Sequence, residues 1–145
     1  MTLPVRITRL HDAAALPAYQ SAGAAGFDLA ASEAMTVAPG EVTLVPTGLV
    51  IEVPAGHFLG VFARSSTPIK RGLMVANGVG IVDSDYSGPA DEIKIEVFNF
   101  TPHPVRIEPG DRLAQGVLMP YVRAEWQERA HADGPSRGGF GSTGG

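Results

Sequence analysis

Proline and glycine punctuate this chain at intervals that leave little room for long helices. Pro39-Gly40, Pro54-Ala55-Gly56 and Pro109-Gly110 each sit between short apolar runs. Proline lacks the amide that a helix interior needs, and glycine supplies the left-handed geometry of tight turns. With 18 glycines and 12 prolines in 145 residues, the constraint acts along the whole chain. Many short strands joined by turns are therefore expected.

The apolar runs fit that expectation. Val5 to Leu10 alternates apolar and polar residues as a first strand. His11 to Gly26, rich in Ala, Pro and Gly, reads as an irregular connector. Strands are then expected at Met35–Val37, Val42–Val45, Gly48–Val53, His57–Ala63, Glu92–Asn99, Val105–Ile107 and Gly116–Met119. The Glu92–Asn99 run keeps strict period two, with Ile93, Ile95 and Val97 on one face and Lys94, Glu96 and Phe98 on the other. One short helix is predicted, capped by Ser66 or Thr67, started at Pro68 and stopped at Gly72. Its N-terminal end, beside Arg64-Ser65-Ser66, would favour phosphate. The pattern predicts a compact all-β, jelly-roll-like barrel with one short helix. Two regions are expected: a folded domain over residues 1–126, and a flexible Gly-rich C-terminal arm over 127–145 with one aromatic, Phe140.

Composition excludes several classes. A formal net charge of −4 gives no support to a surface that coats nucleic acid. The absence of cysteine rules out disulfides and thiolate metal sites, and it fits a reducing compartment. The first ten residues lack an uninterrupted apolar run, so no signal peptide is expected, and no window approaches the ~20 apolar residues of a membrane span. A cytoplasmic protein without nucleic-acid or membrane partners is the expectation.

Chemistry concentrates in Asn77-Gly-Val-Gly-Ile-Val-Asp83-Ser-Asp85-Tyr86-Ser-Gly88. Glycines without side chains let backbone approach a ligand closely. Asn77 can donate and accept hydrogen bonds, Asp83 offers a carboxylate base, and Tyr86 offers a flat ring to lie against a sugar or base. A plain hairpin needs one glycine and one Asp at most. Asp85 reads as a turn residue bonding its own backbone.

Five segments, in order, resemble the motifs of the trimeric dUTP pyrophosphatases, the dUTPases. They are Ser21-Ala-Gly-Ala-Ala-Gly26-Phe-Asp28-Leu-Ala-Ala31, Ala63-Arg64-Ser65-Ser66, Asn77 to Gly88, Pro109-Gly-Asp111-Arg-Leu-Ala-Gln115, and Arg137-Gly-Gly-Phe140-Gly-Ser-Thr-Gly144. The resemblance implies a β-clip fold and a Mg²⁺-dependent homotrimer that hydrolyses dUTP to dUMP and pyrophosphate. In it Asp83 is the base for the attacking water, and Tyr86 packs on deoxyribose and excludes a 2′-hydroxyl. Asn77 with the backbone of Gly80, Ile81 and Val82 reads uracil, and Lys94 lies on the adjacent strand, either in the pocket or as a solvated charge. Arg64, Ser65, Ser66 and Gln115 contact phosphates. Asp28 holds waters on a phosphate-bound Mg²⁺ or else caps a turn, while Asp111 and Arg112 read as a structural turn. In the arm, Phe140 stacks on the base, Arg137 clamps the terminal phosphate, and Gly141 and Ser142 wrap the rest.

The chain also departs from the family pattern. Arg137 stands only three residues before Phe140, which shortens its reach. Pro89-Ala90-Asp91 reads as an insertion beside the pocket, and the second motif continues as Thr67-Pro-Ile. Glu96 and Asn99 carry the three-residue spacing of a catalytic Glu and an Asn in the related dCTP deaminases. A bifunctional deaminase, or a non-catalytic dUTP sensor, are the alternatives; the plain reading of Glu96 is an exposed strand carboxylate paired with a lysine.

Overall fold

A computed structural model describes residues 1–144, and Gly145, the last residue of the arm, lies outside them. The regular structure of the described chain is almost wholly short antiparallel strands: β1 (Arg6–Arg9), β2 (Phe27–Ala30), β3 (Met35–Val37), β4 (Val42–Pro46), β5 (Leu49–Glu52), β6 (His57–Ala63), β7 (Leu73–Val75), β8 (Gly80–Val82), β9 (Lys94–Asn99), β10 (Val105–Ile107) and β11 (Arg112–Pro120). They form a four-stranded sheet ordered β2-β11-β6-β8, a three-stranded sheet β4-β9-β7, and two ribbons, β1-β5 and β3-β10. This is the all-β, jelly-roll-like arrangement that the turn spacing predicts.

The core follows the period-two pattern. Ile93, Ile95 and Val97 are buried on one face of the β9 segment, and they join Leu29, Leu59, Leu73, Ile107 and Leu113 in one apolar cluster. Each such side chain contributes about 1.5–3 kcal/mol when fully withdrawn from water. Asn99 is the largest polar side chain among them. Its amide donates to Val37 O at 2.9 Å and His103 O at 2.7 Å, and its carbonyl accepts from Thr101 N–H and Oγ1 at 2.9 and 2.8 Å. All four hydrogen-bonding positions of the amide are thereby used.

The opposite face of the three-stranded sheet is apolar as well. Val42 and Met74 stand opposite Phe98 from either side, making a row across all three strands. Val42, Met74 and the neighbouring Leu44 are each 45–55% exposed. A contiguous bare apolar row marks a surface that is normally covered.

Several boundaries differ from the sequence reading. β2, β7 and β8 were not expected as strands; each is only three or four residues long and, unlike the equally short β3 and β10, none is followed by a Pro-Gly turn. β11 spans nine residues where four were expected, because Arg112–Gln115 pairs with β2 and β6 and is not a turn. The helix is a single turn over Thr67–Arg71, stopped by Gly72 in left-handed geometry as predicted. Neither expected cap acts there. Ser66 makes no capping bond, and the Thr67 hydroxyl is buried and donates to Leu113 O at 2.8 Å, tying the turn to β11.

Candidate functional site

Seven of the residues singled out in the sequence line one cleft of about 400 Å³: Asn77, Gly80, Ile81, Val82, Asp83, Tyr86 and Lys94. β8 is the edge strand of its sheet, so one row of its backbone amides and carbonyls faces away from β6. Asn77 stands just before it and Asp83 just after it, with both side chains open to the cleft. The turn that follows is closed by the Tyr86 amide donating to Asp83 O at 3.2 Å. Asp85 makes no side-chain hydrogen bond among the described residues, so the turn is held by backbone and not by the Asx bond expected of it. The Tyr86 hydroxyl donates to Glu92 O at 2.9 Å, which ties the ring to the segment leading into β9.

Sequence reasoning missed five lining residues, Leu44, Val61, Ala90, Glu92 and Ile93. Ala90 reaches the cleft because the Pro89–Asp91 insertion folds into its own turn, with Gly88 N–H donating to the Asp91 carboxylate at 2.8 Å. The insertion was visible in the sequence; its direction was not.

A second group gathers where β2, β6 and β11 meet. Asp28 lies within β2, so the turn-cap reading does not hold. Its carboxylate takes Arg64 Nε at 2.7 Å and Arg112 Nη1 at 3.1 Å. Arg112 therefore belongs to this group and not only to a turn, while Asp111 does close its turn, accepting Glu108 N–H at 2.9 Å and pairing with Arg71 at 2.9 Å. Arg64 also donates to Arg112 O at 3.1 Å. Gln115 donates to Ala63 O at 3.0 Å, and its amide oxygen lies where a Cβ on Gly26 would be, at 2.6 Å. Glycine at 26 is what lets Gln115 lie there. Ser65 and Ser66 stand beside Arg64, the latter 3.5 Å from its guanidinium. Two arginines, two hydroxyls and an amide make a donor-rich patch suited to an anion.

The two groups do not meet within one chain. β2 and β8 occupy opposite edges of a four-stranded sheet, about 14 Å apart at the usual strand spacing. The arm joins neither. Its last tie to the body is Tyr121 N–H to Gly56 O at 3.1 Å, and beyond it Val122 and Trp126 are more than 90% exposed. Arg137, Gly141 and Ser142 are exposed like the rest of the arm, and Phe140 stands fully bare with φ of 52°.

Glu96 is half-buried on the outer face of β9, outside the cleft, and no ion pair with lysine forms there among the described residues. Asn99, three residues on, faces the core. The two side chains that suggested a deaminase pair therefore point to opposite sides of the strand.

Fold and cleft together define a class: an all-β domain presenting a carboxylate and a tyrosine in a shallow cleft of mixed polarity, with a separate arginine-rich anion patch. Comparison with known proteins narrows it. The dUTPase family model matches residues 12–144. The deoxyuridine 5'-triphosphate nucleotidohydrolase of Wolinella succinogenes is 44% identical over 144 residues, covering 98% of this chain and 95% of that one. A crystal structure of dUTPase from Streptococcus mutans superposes with a TM-score of 0.77 at 36% identity, over 84% of this chain and 98% of that one. The dUTPase of Staphylococcus bacteriophage 80alpha, solved with dUpNHpp, shares the fold at TM-score 0.85 and 22% identity, over 99% of both chains. The chain belongs to the dUTPase family.

Proposed function

We propose that this protein is a dUTP diphosphatase, hydrolysing dUTP to dUMP and pyrophosphate, and so keeping uracil out of DNA while supplying dUMP for dTMP synthesis. The observation that carries the reading is the single cleft holding Asn77, the free edge of β8, Asp83 and Tyr86. Uracil needs a donor–acceptor edge, which the β8 backbone and Asn77 offer. A pocket built on such bonds rejects a base with the reversed pattern by orders of magnitude. The Tyr86 ring would lie against deoxyribose and leave no room for a 2′-hydroxyl.

In the reaction Asp83 accepts a proton from a water aligned with the α-phosphorus. The water oxygen forms the new P–O bond as the bond to the α–β bridging oxygen breaks, and pyrophosphate leaves with that oxygen. Arg64, Ser65, Ser66 and Gln115 would neutralise the charge that grows on the phosphates. Arg137, Phe140, Gly141 and Ser142 would fold over the nucleotide as a lid and exclude water.

Mg²⁺ is the expected cofactor. It is commonly held by substrate phosphates plus one or two carboxylates, and not by an all-protein cage. The donor set fits that mode: among the described residues no three His, Cys, Asp or Glu side chains converge, and Asp28 offers one carboxylate at the anion patch. Asp28 would hold the ion's waters, and the bound ion would supply charge compensation on the triphosphate.

The active unit is proposed to be a homotrimer with shared sites. The bare Val42–Phe98–Met74 row, the separation of cleft from anion patch, and the uncovered arm all support it. A cytoplasmic location suits a nucleoside triphosphate substrate, and no helix among the described residues is long and apolar enough to cross a membrane.

The test is pyrophosphate release from dUTP, dCTP, dTTP and UTP with Mg²⁺, products being identified. Turnover of dUTP alone is expected. Asp83→Asn is expected to lower kcat by about 10²–10⁴-fold while an unhydrolysed dUTP analogue still binds. Conversion of dCTP to dUMP would instead make Glu96 catalytic, and a wild-type protein that binds dUTP without turnover would be a sensor.

A further inference from the structure

Glu92 is a lining residue of the cleft for which the reaction above has no use, yet both its backbone carbonyl and its carboxylate are tied to other parts of the chain. Its backbone carbonyl accepts the Tyr86 hydroxyl at 2.9 Å, and its side-chain Oε1 accepts Gly48 N–H at 2.7 Å. Gly48 is a fixed point. It sits at φ of 69°, its carbonyl accepts Leu10 N–H at 2.8 Å, and a Cβ there would lie 2.7 Å from that of Ala14. On the other side of the same peptide unit, Ile93 N–H donates to Leu49 O at 2.8 Å. The carbonyl that holds Tyr86 is thus clamped from both of its flanks to the start of β5. The Asp83–Tyr86 turn itself lacks a side-chain staple among the described residues, and the ring is 41% exposed. The only hydrogen bond of its hydroxyl among the described residues is the one to Glu92.

We propose that Glu92 is a positioning residue for sugar selectivity: its carboxylate, anchored on Gly48, holds the Glu92 carbonyl where it fixes the Tyr86 ring against the 2′ carbon of a bound deoxyribonucleotide. This rests on the dUTPase reading of the cleft. A ring free to tilt leaves space for a hydroxyl, and a ring held at both ends does not. Displacements of about 1 Å in a positioned group are enough to change rates by up to about a hundredfold.

The experiment compares kcat/KM for dUTP and UTP in the full-length protein and its variants. In Glu92→Ala the dUTP-to-UTP preference is expected to fall about tenfold, mostly through faster UTP turnover, with kcat for dUTP changed by less than about threefold. Glu92→Gln keeps an oxygen acceptor for Gly48 N–H and is expected to retain the wild-type preference. Tyr86→Phe should reproduce the Glu92→Ala loss, and the double variant should lose little more, because both remove one coupled interaction. Glu92→Asp, with its carboxylate drawn back from Gly48, serves the same purpose if the alanine variant does not fold. An unchanged preference in Glu92→Ala or Glu92→Asp, with or without a lower Tm, overturns the proposal and leaves the dUTPase reading standing. A wild-type protein that turns over UTP as well as dUTP overturns both.

Discussion

At the scale of single residues, Asn99 shows how a polar side chain can be required in an apolar core. Both of its amide protons and both carbonyl lone pairs are used, by Val37 O, His103 O and Thr101. Leucine has the same side-chain branching but no polar atoms, so Asn99→Leu would leave Val37 O and Thr101 N–H without those partners, while His103 O keeps the Thr101 hydroxyl. Each orphaned buried group costs about 1–3 kcal/mol. The variant is expected to denature at clearly lower urea concentration with an unchanged m-value. The same strand geometry separates Glu96 from Asn99. Spacing along the sequence put Glu96 and Asn99 together, and alternation along a strand puts them on opposite faces. Asp83, Tyr86 and Asn77 were legible because their residue types and order are unusual. Glu92 was not, since its carboxylate acts on a glycine 44 residues earlier in the chain, a pairing no local pattern encodes.

At the scale of elements, the sheet β2-β11-β6-β8 depends on two glycines that the sequence shows only as gaps in an apolar run. A Cβ on Gly116 would lie 2.4 Å from the Phe27 ring and 3.0 Å from Leu59 Cδ1; one on Gly60 would lie 2.4 Å from the Phe62 ring. In both places an aromatic ring occupies the space a side chain would fill. Gly116→Ala is expected to cost about 1–3 kcal/mol through displaced rings. Thermal unfolding reads that loss, and a larger one is expected than for Gly56→Ala, where only the left-handed backbone resists the change. The Glu92–Asn99 segment could be read directly from alternation, and β6 as an apolar run behind the Pro54–Gly56 turn. β2, β7 and β8 could not, because three or four residues with no Pro-Gly turn behind them hold too little signal and their strand character comes from neighbours supplied by distant sequence. Yet β8 is the strand that carries the cleft. The part of the site hardest to see as structure was the part easiest to see as chemistry.

At the scale of the whole molecule, the separation of the cleft from the anion patch leads to a test of assembly. Asp83→Asn and Arg64→Ala chains, each inactive alone, are expected to regain a measurable fraction of wild-type turnover when unfolded together and refolded. In mixed trimers of the proposed kind, some sites would draw the two intact residues from different chains. A site contained within one chain would give no recovery at all. The arm sharpens the expectation, since Trp126 and Phe140 leave the body without touching it. It also sets an inheritance rule. In the proposed trimer with shared sites, a chain with one lesion, in Asp83 alone, would spoil one site of the three it helps to build. A chain with lesions in both Asp83 and the arm would spoil two, so one doubly altered chain among intact ones would be more dominant than a chain carrying either lesion alone.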